Sequence, residues 1–172
     1  MSPLLSPFRS RRTTLATTLM IETTDLRFLT IRSGRVERWG SSPLPKGLVS
    51  QGLITDALEM GKIIDQLFAR EDLERERVIT GLSGLRSVPR VVTMPRLPAS
   101  QLKQAVSREA RREMPVPVET LYLSWQVLAE AGNQQRVYVL GVPRELIDAQ
   151  VRALQAADVS PCAMDLKPLA LV

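Results

Sequence analysis

Residues 81–119 read GLSGLRSVPRVVTMPRLPASQLKQAVSREARREMPVPVE, and the reading of this stretch decides the fold class. Two extended runs, 75–82 and 87–94, stand on either side of turn residues, and their β-branched and apolar content makes each a strand. Pro98 then opens a helix. Leu102, Ala105, Val106, Glu109 and Ala110 recur at the spacing that puts them on one side of it, and Pro115 stops it. The stretch closes on the turn Pro115-Val116-Pro117. It describes an architecture and contains no reactive constellation.

Downstream, the pattern predicts strands over 120–128 and 136–142, a helix over 144–157 and a strand over 161–166. Leu121, Leu123, Trp125 and Val127 share one face with the period of a half-buried strand, and Val137 and Val139 do the same in its partner. AGNQQ, residues 131–135, supplies the hairpin loop. Leu146, Ile147, Val151 and Leu154 form the buried stripe of the last helix. The order βαββαβ over 85–166 makes a two-layer α+β unit inserted into, or following, an earlier sheet.

That earlier sheet begins as a meander. Two apolar runs between 15 and 31 flank the turn Thr23-Thr24-Asp25, and a third run, 35–39, follows Ser33-Gly34. SSPLPKG, residues 41–47, is a loop by composition. Thr55 and Asp56 offer an N-cap to a helix whose stripe is Met60, Ile63, Ile64 and Leu67, with Gly61 as a local weakness. The expected organisation is a basic flexible tail over 1–14, a core subdomain over 15–84, an inserted subdomain over 85–166 and the start of a return segment over 167–172. MDLKPLALV at the close places Pro168 where a further helix would begin, so either the chain is a fragment of a larger protein or its end is stitched into a core. The apolar run 169–172 makes self-association an expectation.

Composition removes whole classes of chemistry. The 172 residues include no histidine, and Cys162 is the sole cysteine. No Ser-His-Asp or Cys-His pair can be assembled, and zinc lacks its usual ligands. Cys162 reads as a core residue, and its isolation fits a reducing compartment. Of the net charge of +5, Arg9, Arg11 and Arg12 supply three from an acid-free head, so the remainder is ordinary. TTLATTLM, 13–20, has four threonines where a signal peptide needs an apolar run, and no stretch approaches the roughly 20 apolar residues of a membrane span. A soluble cytoplasmic protein is the expectation.

Other candidates weigh toward structure. Ser83 lies in Gly81-Leu82-Ser83-Gly84, but the second glycine is misplaced for a nucleophile elbow and no histidine exists to activate the hydroxyl. Arg108, Arg111 and Arg112 are interleaved with Glu109 and Glu113, which favours a solvated helix face over a docking patch for acidic protein, lipid headgroups or nucleic acid. Tyr122 and Trp125 fall on opposite faces of one strand, the pattern of sheet packing rather than of base stacking. Asp165 and Lys167 read as an ion-pair tie between subdomains.

Taken together, IRSGRVERWGSSPLPKGLVSQGLITD (31–56), GLSGLRSVPRVVTMPRLP (81–98), EARREMPVPVE (109–119) and MDLKPLAL (164–171) are similar to the N-terminal portion of the PilM family, actin-like type IV pilus assembly proteins. The resemblance covers nearly everything after Leu15. The cytoplasmic actin-like domain of type II secretion systems and the division protein FtsA are the neighbouring relatives. The resemblance implies an actin-like α+β fold, with the first sheet in a core subdomain and the βαββαβ unit inserted. It implies ATP, with Mg, between two lobes of a full-length relative. It also implies an inner-membrane partner, PilN, whose cytoplasmic N-terminal peptide lies in a groove between the core and inserted subdomains and holds the protein at the inner face of that membrane. In this chain the groove falls on Leu85, Arg86, Arg90, Glu109, Arg112, Pro115 and Val116.

Set against the family pattern, the chain looks truncated before the second lobe, and it departs at the turn that approaches ATP phosphates. An acidic residue, a spacer and a glycine are the pattern there, and Met20, Ile21 and Glu22 stand in their place. A carboxylate repels phosphate where a glycine would let backbone amides approach, which leaves Thr23 and Thr24 as a degenerate pair of donors. The expectation is a non-catalytic scaffold without cofactor or metal. The alternatives are an ATP-dependent switch completed by a second lobe, a type II secretion domain, and a basic nucleic-acid-binding domain.

Overall fold

The computed structural model describes residues 15–83 and 86–166. The readings that fall on the basic head, on Gly84 and Leu85, and on 167–172 with Lys167 and the apolar end lie outside the described residues. The chain forms two compact units. Arg86–Arg144 makes one, and the flanking stretches up to Leu85 and from Glu145 make the other.

The larger unit is built on a five-stranded sheet. Its strands are β1 (Leu15–Ile21), β2 (Asp25–Arg32), β3 (Arg35–Pro43), β6 (Val78–Leu82) and β10 (Pro161–Leu166), in the order β10-β6-β1-β2-β3. β1 to β3 form the expected antiparallel meander, and β1, β6 and β10 run parallel. Strict alternation in LATTLMI explains the first strand. Leu15, Thr17, Leu19 and Ile21 are buried, whereas Ala16, Thr18 and Met20 are half-buried on the other face. Between β3 and the first helix, β4 (Val49–Ser50) and β5 (Leu53–Ile54) close a tight hairpin. Gln51 and Gly52 both have positive φ there, as a primed two-residue turn requires.

Helix α1 (Ala57–Arg70) starts where the sequence places its cap: one oxygen of Asp56 accepts from the amides of Leu58 and Glu59, both at 3.0 Å. Its Met60, Ile64, Leu67 and Phe68 join Leu19, Leu26, Phe28 and Val78 of the sheet and Ala149, Ala153 and Leu154 of α3 (Arg144–Ala156) in one core. Gly61 has a role beyond weak propensity. It is buried in α1, and a Cβ added there would meet the Cβ of Ala156 at 2.6 Å, so its bareness lets the two helices touch.

The division of the chain differs from the one read in the sequence. The last helix and strand, expected inside an inserted unit spanning 85–166, belong to the larger unit. β10 pairs with β6 from Pro161 opposite Val78 to Leu166 opposite Leu82, and the Gln150 amide of α3 donates to the Thr80 hydroxyl and, at 3.3 Å, to the Gly81 carbonyl. Strand β6 also starts at Val78 rather than Arg75. Arg77 has a positive φ that breaks the extended run, and Arg75 is turned to Asp65 (2.7 Å) and the Ala157 carbonyl. Cys162 is exposed, not core, because the register shift between Pro161 and Ala163 leaves it out of the ladder.

The smaller unit consists of β7 (Val88–Pro95), α2 (Ala99–Glu113), a 3₁₀ turn over Val118–Thr120, β8 (Leu121–Ala131) and β9 (Gln134–Pro143). Its sheet is antiparallel, ordered β7-β9-β8. Val106, Ala110 and Met114 pack with Val92, Met94, Leu121, Val137 and Val139, while Leu102, Leu123, Trp125 and Val127 lie at the margin of this core. The β8–β9 hairpin is tighter than AGNQQ suggests, because Gly132 at φ 58° lets the strands run on to Ala131 and Gln134.

Candidate partner-binding site

The carboxyl end of α2 carries most of the residues that the sequence nominated. Amphipathic spacing turns Val106 and Ala110 into the core and Arg112 away from it, and Met114 ends the helix in an extended conformation before the prolines. Arg90 projects from β7 to this end. Its Nε donates to the Glu113 carbonyl at 3.2 Å and its Nη1 to the Pro89 carbonyl at 2.9 Å. Arg90 thereby satisfies one of the carbonyls that every helix terminus leaves open, with the sign of charge that the helix dipole favours. Arg112 stands 3.4 Å from the carboxylate of Glu109, which is three-quarters covered. Glu109, which the spacing sets beside the apolar stripe, is thus paired with an arginine of its own helix.

Beyond the helix, Pro115 and Pro117 are exposed and Val116 is 42 % exposed, high for a branched apolar side chain. This segment is held at its far end. Thr120 Oγ1 donates to the Pro117 carbonyl at 2.7 Å, Arg144 Nε donates to the Glu119 carbonyl at 2.9 Å, and the Arg144 guanidinium stacks 4.4 Å from the centre of the Tyr122 ring. Fixed proline and valine edges beside arginine forks provide an apolar strip with a few oriented polar groups, the make-up of a surface that takes an extended peptide. Arg86 sits at the entry to the unit with φ 68° and is itself engaged. Leu85 lies outside the described residues. Sequence reasoning missed Arg90 as a helix cap and Arg144 as a brace, since both depend on strands that meet the helix only in space.

Thr23 and Thr24 fall on the exposed turn between β1 and β2. The amide of Glu22 is already spent on the Asp25 carbonyl at 2.9 Å, and the Thr24 carbonyl accepts from Leu44 at 2.8 Å. Arg27 engages the Asp25 carboxylate at 3.0 and 3.2 Å, and this hydrogen bond and charge push the guanidinium above its ordinary value. In this turn the Glu22 amide is therefore occupied and the Asp25 carboxylate lies beside a guanidinium. Elsewhere in the larger unit a cavity of about 270 Å³ is walled by Leu15 and Leu73, with Thr30 beside them. Two arginines on its rim are engaged, Arg32 by Glu37 at 3.0 Å and Arg38 by the Glu71 carbonyl. Among the described residues no group of acidic or cysteine side chains could hold a metal ion, and no helix is long and apolar enough to cross a membrane.

A sheet with parallel strands joined by crossovers, interrupted after β6 by a second α+β unit, is an actin-like fold of the kind seen in PilM. The model of the family described as type IV pilus assembly protein PilM matches residues 20–172, and the chain belongs to that family. Among solved structures it is similar to a chain of the PilM-PilN type IV pilus biogenesis complex, with 27 % identity and a TM-score of 0.79 over 92 % of this chain and 49 % of that one. The cytoplasmic domain of EpsL, an inner membrane component of the type II secretion system of Vibrio cholerae, shares the fold at 17 % identity and a TM-score of 0.62, over 91 % of this chain and 58 % of that one. No curated protein matches the sequence. The chain spans about half the length of these solved structures.

Proposed function

We propose that this chain serves type IV pilus assembly as a non-catalytic binding module that takes an extended cytoplasmic segment of a PilN-type inner-membrane protein and is held at the membrane's inner face through it. The observation that carries this reading is the likeness to a chain of the PilM-PilN complex, together with membership of the pilus assembly family. The surface at the end of α2 gives it a physical basis. Val116 offers apolar area to a partner, and Arg112, 70 % exposed, can leave Glu109 to fork onto a peptide carbonyl or carboxylate, a geometry lysine does not reproduce. The likeness to EpsL supports the fold alone and does not favour a secretion role.

The turn at Glu22 to Asp25 supports a chain that by itself holds no nucleotide and turns none over. A nucleotide titration with Mg checks this: no saturable ATP signal is expected, and binding that disappears in Thr23→Ala and Thr24→Ala variants would restore the reading of an ATP-dependent switch. For the partner site, Val116→Asp and Arg112→Ala should each weaken calorimetric binding of a synthetic partner peptide by about 1 to 3 kcal/mol, with the thermal transition unchanged. Wild-type affinity in both variants would move the site elsewhere.

A further inference from the structure

We propose that the outward face of α2 is a docking surface for anionic lipid headgroups. The function above does not use this face. Lys103, Ser107 and Arg111 follow one another at four-residue steps, with Gln104 and Arg108 beside them, and together they line an open surface depression of about 460 Å³. Leu102, Ala105, Val106 and Ala110 point to the core on the opposite side. The face therefore carries three cations and two neutral polar groups and no apolar side chain. Such a face lies on a charged surface rather than inserting into it.

The acids of the helix do not neutralise it. Glu109 is turned to Arg112 on the flank, and Glu113 lies three residues past Ala110 and seven past Val106 and so on the other side of the helix. The contact of Arg111 with Glu119, beyond the helix, is a 3.4 Å pair whose side chains are both 66 % exposed. A pair so open to water is worth little and gives way to a phosphate. The 15 residues of α2 run for roughly 22 Å, and a headgroup layer meets that length with many phosphates in one plane. Single-stranded nucleic acid is the less fitting polyanion, because no aromatic ring stands on the face to stack a base, and a duplex is distinguished from lipid by direct comparison at equal salt. An inner-membrane partner would hold this face near lipid, so the biological setting rests on the proposed function, whereas binding to vesicles needs no partner.

The full chain is sedimented with phosphatidylcholine vesicles with and without phosphatidylglycerol. Binding is expected only to the mixed vesicles, falling as salt rises above physiological strength. The combined variant Lys103→Gln, Arg108→Gln and Arg111→Gln should bind about a hundredfold more weakly. It should keep wild-type affinity for the partner peptide and an unchanged thermal transition. A control with Arg9, Arg11 and Arg12 changed to glutamine separates the basic head from the helix. The proposal is overturned if wild-type protein ignores anionic vesicles, if the head variant alone abolishes binding, or if the triple variant binds as wild type does. Loss of peptide affinity in the triple variant would assign this face to the partner and overturn it too, as would binding to duplex DNA, but not to vesicles, at equal salt.

Discussion

A Cβ at Gly61 would stand 2.6 Å from the Cβ of Ala156 and 3.0 Å from the carbonyl oxygen of Ala153. Helix propensity alone would make Gly61→Ala stabilising by about 1 kcal/mol, but a rigid backbone group and a Cβ cannot retreat as a long side chain would, and overpacking of this kind costs about 1 to 3 kcal/mol. The steric term is the larger, so Gly61→Ala should lower stability in urea denaturation, and a raised midpoint would contradict the helix contact. Thr17 argues the opposite way. It is 1 % exposed and its hydroxyl has no hydrogen-bond partner. Replacing an unsatisfied buried hydroxyl by a methyl of like shape removes a desolvation cost, so Thr17→Val should raise stability by about 1 kcal/mol in the same assay. A loss would mean that the hydroxyl is satisfied after all.

At the scale of elements, most of the chain's punctuation was legible, because caps and periods act locally. Asp56, Pro98 and Pro115 bound their helices, and the stripe of LYLSWQV faces the core. Pairing was not legible in the same way. Nothing within residues 161–166 says that they run parallel to β6, some eighty residues earlier; that choice is made by α3, which packs on the first sheet and carries Gln150 to Thr80 and Gly81. This buried amide is accordingly the tie to test. Gln150→Leu leaves the Thr80 hydroxyl without that donor and should cost about 1 to 3 kcal/mol, read as a drop in the denaturation midpoint. An unchanged midpoint would show that apolar packing alone holds α3 on the sheet. The same reasoning explains the candidate site: the helix end at Arg112, Pro115 and Val116 could be located from spacing, but Arg90 as its cap could not, because β7 reaches Glu113 only through the fold.

For the molecule as a whole, the chain folds as two compact units, the smaller one continuous in sequence between the two stretches of the larger. The chain has no histidine, and its one cysteine sits exposed at a bulge. What the larger scale offers instead is surface: a proline and valine edge beside arginines in one place and a basic helix face in another. On the proposed function, this chain binds the cytoplasmic segment of a PilN-type partner, and calorimetry of the full chain with a synthetic peptide of that segment tests it. Saturable one-to-one binding is expected, weakened by Val116→Asp while the thermal transition holds. No heat of binding from a folded chain at any peptide concentration reached would contradict it.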